Sequence, residues 1–405
     1  MTGHASDRVR SVLVAPDKFK GSLTAAEVAH QLGRGLRSRG LRVVELPLAD
    51  GGDGSVDAAV TAGFRPVPVV VDGATGRPHT ALIAHRADGN AVVEVANTCG
   101  LHTLPGGHLA PLAAASTGAG QAVRAAVEHG ARRVVLALGG SASTDGGAGL
   151  LAALGVVFRD RAGRPMQVAG GTLRRIASID LSGLLDLRGV DLVVAGDVTN
   201  PLTGSTGAAA VYGPQKGATA DDVAVLDDGL RHLVGLLTAV RPDAADLART
   251  PGAGAAGGVG FAGLLLGGRI VSGADYCLDL LGFDEQLAGC DLVITGEGRI
   301  DDQTRHGKLP AIVAGRAHPR PVIAVVGRND LSPGAAAAMG LAAVHALTDR
   351  APDRSADDRV PGDRKAGEPP PEPAGDPARD PALSRHLLAE LGRTLPLPVL
   401  AGATR

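Results

Sequence analysis

One local phrase recurs five times along the chain: a short, unbroken apolar run that stops at a turn rich in glycine and aspartate. The runs cover residues 12–15, 134–138, 192–195, 292–295 and 322–326, and the loops behind them begin at Pro16, Gly139, Gly196, Gly296 and Gly327. After the first loop, residues 24–39 have helical spacing, with Thr24 and Glu27 placed as a capping box. Strands that are apolar on both faces need helices on both sides, which is the signature of a doubly wound α/β sheet. In such sheets ligands bind outside the carboxyl ends of the strands. The loops are therefore where the chemistry is to be sought.

Between residues 64 and 101 the texture changes to alternating short strands over 67–71, 80–84 and 91–96, read as a crossing point between domains. The fold class predicted is α/β: two α/β domains, one inserted into the other, with a Rossmann/flavodoxin-like sheet. The outer domain is assigned to residues 1–65 plus 288–405 and the inserted, flavodoxin-like domain to 66–287. Residues 350–381 carry Pro, Asp, Arg and Gly with almost no apolar residue and are read as a disordered Pro-rich insertion. Helical spacing returns over 383–395, a segment expected to dock on the first domain.

Composition removes several function classes. Forty basic against 42 acidic residues give a formal net charge of -2, so no broad basic field exists for nucleic acid or an anionic membrane. Cys99, Cys277 and Cys290 are odd in number and lack paired spacing, which indicates neither a disulfide framework nor a thiolate zinc site. The first apolar run is too short for a signal-peptide core, and residues 255–271, broken by Arg269, fall short of a membrane span. A cytoplasmic protein is expected, acting on a small molecule, with homodimerisation left open.

Five loops carry the candidate chemistry. Asp17, Lys18, Phe19, Lys20, Gly21 and Ser22 join a strand to a helix N-terminus, where amides, the helix dipole and two ammonium groups can meet an anion. Only five residues of the chain are Lys against 35 Arg, and Lys18, Lys20, Lys216 and Lys308 all lie in or beside Gly-rich loops. Where arginine is the habitual cation, lysine marks a place for a compact point charge. Asp50 and Asp53 in DGGDGS can hold magnesium or take a hydroxyl proton, or Asp53 can simply cap the following helix.

The run from Gly139 to Gly147, with Ser141, Ser143, Thr144 and Asp145, is a second anion-cradle candidate, although no Lys follows it as a Walker A sequence demands. Asp197 and Asn200 head a small-residue run, ending near Lys216, that can pack against a ligand or against a neighbouring strand. Glu297, Arg299, Asp301, Asp302 and Lys308 crowd the last such loop, a density unlike a solvated face.

Taken together, PDKFKGSLTA, PLADGGDGS, GGSASTDGGAGLL, DVTNPLTGSTGAAAVYGPQKGA and GEGRIDDQT, in this order, resemble the type I glycerate kinase family (glycerate 2-kinase). The resemblance runs over residues 12–349 and resumes at 385–395; the Pro-rich piece between is foreign to it. It implies ATP, Mg2+ and D-glycerate, with 2-phosphoglycerate as the usual product. Matched residue by residue, it implies catalytic roles for Asp50, Asp301, Lys20 and Arg299. Substrate or phosphate binding falls to Asp17, Gly21, Ser22, Ser141, Asp145, Asp197 and Asn200, and metal binding to Glu297 and Asp53. Lys18 stands where the family often has Ser and receives no role.

On this reading Arg299 and the amides near Lys20 to Ser22 hold carboxylate and phosphate, while Asp50 or Asp301 accepts the proton. The loops are expected to meet in one interdomain cleft that closes on the substrate. Two rivals are weighed against it. A nucleotide-linked dehydrogenase lacks its GxGxxG at the first turn. A non-catalytic glycerate sensor would not need the acids that remain.

Overall fold

The computed structural model describes residues 9–302, 304, 308–350 and 380–398. Apart from its ends, the Pro-rich insertion expected over 350–381 lies outside the described residues, as do Gln303 and Lys365. Contacts divide the chain into two compact units, residues 1–48 with 281–405, and residues 49–280.

The first unit is built on a five-stranded parallel sheet. Its strands run in the order Ala343–Ala346, Val322–Val326, Leu292–Gly296, Ser11–Pro16 and Arg42–Glu45. The three central strands are buried at every residue, which explains why they read as unbroken apolar runs. The helix Ala25–Arg37 opens with the capping box expected: Glu27 N–H donates to Thr24 Oγ1 at 3.2 Å and Thr24 N–H to Glu27 Oε2 at 3.0 Å. Such a cap contributes about 1 kcal/mol.

The C-terminal helix Pro381–Thr394 lies against Ala25–Arg37, with Leu32, Leu36, Leu387, Leu388 and Leu391 in one apolar cluster. Backbone touches backbone there. A Cβ on Gly35 would stand 2.3 Å from the Ala389 carbonyl oxygen, and one on Gly392 would stand 2.5 Å from that of Leu32. Only glycine admits this approach.

The second unit holds a six-stranded mixed sheet. Arg269–Val271, Asp191–Ala195, Arg133–Ala137 and Asn90–Glu94 are parallel; Pro78–His85 and Arg65–Asp72 continue it antiparallel. The short strands after residue 64, read from sequence as a crossing between domains, are thus the antiparallel margin of this sheet. The third of them ends at Glu94, earlier than expected, because Val95–Cys99 turns into a helix.

One face of the sheet carries the large core that includes Leu136, Leu150, Leu230 and Phe261. The other packs Val92, Val135 and Val193 against Val56, Ala59 and Leu280. That second layer explains where the units part. The helix Ser55–Thr61 buries Val56 and Ala59 on this sheet, so the division falls after Leu48 and Leu280, where the sequence reading set it at 65/66 and 287/288. Among the described residues no helix is long and apolar enough to cross a membrane.

Candidate active site

In the second unit three loops gather behind the parallel strands. The Asp50 loop lies on the loop that follows Arg133–Ala137: a Cβ on Gly139 would stand 2.5 Å from Gly52 Cα. Glycine is required there by distance alone. Gly52 N–H donates to Asp50 Oδ1 at 3.1 Å, and Gly273 N–H donates to Asp197 Oδ1 at 2.8 Å.

These bonds fix two carboxylates within each other's field. Asp197 is an exposed residue, yet its carboxylate is crowded by protein atoms; that desolvation, followed by the like charge of Asp50, pushes its pKa up to about 6. Asp53 lines a cavity of about 700 Å³ together with Glu94, His79, Arg77 and Asn97. Glu94, which the sequence did not single out, is 3% exposed, and its Oε2 accepts the amides of Gly54 and Val56 at 3.1 Å. A strand residue therefore serves the first turn of the Ser55–Thr61 helix.

The Gly139 to Gly147 loop is organised from inside. Asp145 is fully buried; its Oδ2 accepts from Ser116 N–H and Oγ at 2.8 Å and from Gly149 N–H at 3.1 Å, and its Oδ1 from Gly147 N–H at 3.0 Å. Burial pushes its pKa up, against the pull of those donors. A carboxylate so enclosed holds the loop together: all four of these hydrogen bonds run to the protein's own donors. Asn200 is likewise engaged at both ends of its amide, donating to the Thr206 carbonyl and accepting from the Tyr212 hydroxyl. It staples its own loop.

The residue most understated by the sequence reading is Lys216. It is 2% exposed, and Nζ donates to Ser141 Oγ at 2.8 Å and to the Ser143 carbonyl at 2.6 Å. Burial pulls its pKa down to about 8, partly offset by the nearby Asp145 carboxylate. The signal was present in the sequence as a rare lysine beside glycines, without the partner that gives it meaning.

In the first unit the loops behind Ser11–Pro16, Leu292–Gly296 and Val322–Val326 carry the charges. Asp17 N–H donates to the Gly296 carbonyl at 2.8 Å, and a Cβ on Gly298 would stand 3.1 Å from Lys20 N, so the Lys20 and Glu297 loops are neighbours. The segment around Gly21 is a tight turn. Ser22 N–H donates to the Phe19 carbonyl at 2.8 Å and Ser22 Oγ to Ser384 Oγ at 3.0 Å. The Ser22 amide thus closes the turn, while Lys20 remains exposed.

Glu297 Oε1 accepts from Thr304 Oγ1 at 2.9 Å, and Asp301 lies 3.4 Å from Lys308 Nζ. Beyond them Arg299–Asp301 and Arg328–Asp330 form a small parallel ladder, with Arg299 opposite Arg328 and Asp301 opposite Asp330. The sequence repeats itself here, GRID against GRND. Both guanidiniums converge on one carboxylate: Arg299 Nε lies 2.6 Å from Asp330 Oδ2 and Arg328 Nε 2.8 Å from Oδ1. The hydrogen bond from Arg328 is the main reason Asp330 titrates below the usual carboxylate range. Arg328 is a second arginine at this strand end that sequence reasoning passed over.

Among the described residues no group of three or more acidic, His or Cys side chains is arranged to hold a metal ion.

Comparison with known proteins adds the following. A family model described as the glycerate kinase family matches residues 12–357. A glycerate kinase of Bacillus subtilis (strain 168) is 44% identical over 324 residues, covering 78% of this chain and 84% of the relative. A glycerate 2-kinase of Escherichia coli (strain K12) is 41% identical over 327 residues, with the same two coverages of 78% and 84%. A crystal structure from Salmonella typhimurium LT2, provisionally named glycerate kinase 2, superposes with a TM-score of 0.73 at 41% identity, covering 84% of this chain and 90% of that one.

Proposed function

This chain belongs to the glycerate kinase family, and from that premise we propose that it transfers the terminal phosphate of ATP to a hydroxyl of D-glycerate, giving 2-phosphoglycerate with Mg2+ assistance. Phosphoryl transfer asks a protein for positioning and charge neutralisation more than for covalent help. The substrate hydroxyl oxygen forms a bond to the phosphorus, the bond to the ADP oxygen breaks, and the hydroxyl proton passes to a carboxylate.

The observation that carries this reading is the Asp50 and Asp197 pair. Two carboxylates held in one another's field by backbone amides favour a proton or a cation between them, and Asp197 is pushed to about 6. Asp50 is the base of this proposal, with the Asp197 carboxylate near it; Asp301 shares its charge with Lys308 and is second choice. Asp53 in the second unit and Glu297 in the first are each proposed as a carboxylate able to take a metal ion. When bound, the ion would neutralise charge on the phosphate oxygens.

In the first unit Lys20 and Arg299, with Asp17 and Gly21 shaping the turn beside them, are proposed to hold anionic oxygens of phosphate or glycerate. The buried thiols Cys99, Cys277 and Cys290 support a reducing compartment, the cytoplasm. Replacing Asp50 by Asn should lower kcat about 100-fold with nucleotide binding kept. Unchanged turnover in both Asp50→Asn and Asp301→Asn would remove the proposed chemistry.

A further inference from the structure

A lysine ammonium taken out of water costs several kcal/mol unless other groups compensate it. Lys216 is such a group: it is 2% exposed, and among the described residues no carboxylate lies within ion-pair distance of its Nζ. Its partners are a hydroxyl and a carbonyl, both on the loop that follows Arg133–Ala137 and both more than seventy residues away in sequence. A hydrophobic side chain of similar length would fill the same space without the desolvation cost. Core stability therefore does not explain the charge.

The geometry at Ser141 does. A serine hydroxyl offers one O–H and accepts through its lone pairs. Because Ser141 Oγ accepts from Nζ at 2.8 Å, its own hydrogen is turned away from the lysine. Among the described residues no acceptor takes that O–H, and Ser141 is still 6% exposed at the edge of its loop. A hydroxyl polarised by an ammonium behind it is a stronger donor. The next two hydroxyls tell the same story: Ser143 Oγ and Thr144 Oγ1 are buried without a partner, a cost that the loop's own fold does not repay.

We propose that Lys216 is a positioning residue that presents the Ser141 O–H to an anionic oxygen of a substrate, phosphate or carboxylate. This rests on the phosphotransferase reading above and deepens it by naming what the glycine loop binds and what arms it. Lysine suits the task better than the far commoner arginine, since a compact ammonium reaches a hydroxyl and a carbonyl at once in a closed space.

The test is a double-mutant cycle of Lys216→Met and Ser141→Ala, with KM and kcat measured separately for glycerate and for ATP. Each single variant should raise the KM of the same substrate about tenfold, the loss of one hydrogen bond to a charged group, and the double variant should be no worse than either. The substrate affected shows whether the oxygen belongs to glycerate or to the nucleotide. Effects that multiply overturn the proposal, as does a Lys216→Met protein that melts lower with both KM values unchanged.

If Lys216→Met does not fold, Ser141→Ala alone decides: its KM must rise about tenfold, and an unchanged KM overturns the inference. A wild-type protein without glycerate-dependent turnover would count against the proposed function alone. Calorimetric binding of inorganic phosphate and of glycerate then reads the loop directly. Weakening of about tenfold in Ser141→Ala supports the inference, and equal binding refutes it.

Discussion

Arg299 and Arg328 keep 64% and 62% of their side-chain surface in water, whereas Lys216 keeps 2% and Asp145 none. The two units thus treat charge in opposite ways at the ends of similar parallel strands. In the first, a ladder two strands wide presents guanidiniums that rest on Asp330. Exposed pairs of this kind stabilise by 0 to about 1 kcal/mol and are screened by salt. In the second, buried groups lock one loop into a single shape before any ligand comes. Solvated charge is available for binding; enclosed charge sets geometry.

Substitutions should separate the two regimes. The largest effect is expected at Asp145: replacement by Ala strands the Ser116, Gly147 and Gly149 donors in a dry interior and should cost about 3 kcal/mol or more in urea unfolding. A loss below about 1 kcal/mol would mean that the loop is not held from inside.

Lys216 should reveal itself through pH. Its folded pKa, about 8, lies below its ordinary 10.5, so between these values the unfolded chain keeps a proton that the native protein has shed. Stability from this group therefore rises with pH across that window and is lowest below pH 8. The stability difference between wild type and Lys216→Met should grow in favour of wild type by about 3 kcal/mol from pH 8 to 10.5, and a flat difference would contradict the burial.

Gly139→Ala should cost about 1–3 kcal/mol, because its Cβ would meet Gly52 Cα at 2.5 Å, and turnover should fall as Asp50 shifts. The smallest effect belongs to the first unit. Asp330→Asn should change stability by less than about 0.5 kcal/mol, while making the KM for any anion that the proposed role of Arg299 would hold more sensitive to salt. A large loss of stability there would erase the contrast between the units.

Much of this arrangement was legible because both-face burial writes itself as unbroken apolar runs. Residues 12–15, 292–295 and 322–326 fall within the central strands Ser11–Pro16, Leu292–Gly296 and Val322–Val326, and Thr24 with Glu27 caps its helix. The antiparallel strands Arg65–Asp72 and Pro78–His85 were harder to place. Half-exposed alternation says that a strand is present and nothing about which sheet it joins.

The site was legible as loops and much less so as roles. Asp145 and Asn200 look like ligand-binding residues in one dimension, and the sequence carries no sign of the partners they hold within the fold, Ser116 and Tyr212. Glu94 sits inside an apolar strand, where its service to the Gly54 and Val56 amides has no local signature. Arg328 was hidden differently: its GRND tip answers GRID twenty-nine residues earlier, a repeat that gains meaning once the parallel register pairs them.

The most direct test of the account follows phosphorus itself. With D-glycerate, ATP and Mg2+, 31P spectra of the wild-type reaction should show ADP and 2-phosphoglycerate appearing in equal amounts, and neither appearing at a comparable rate with Asp50→Asn. ADP formed without a phosphorylated glycerate, or an Asp50→Asn protein as fast as wild type, would contradict it.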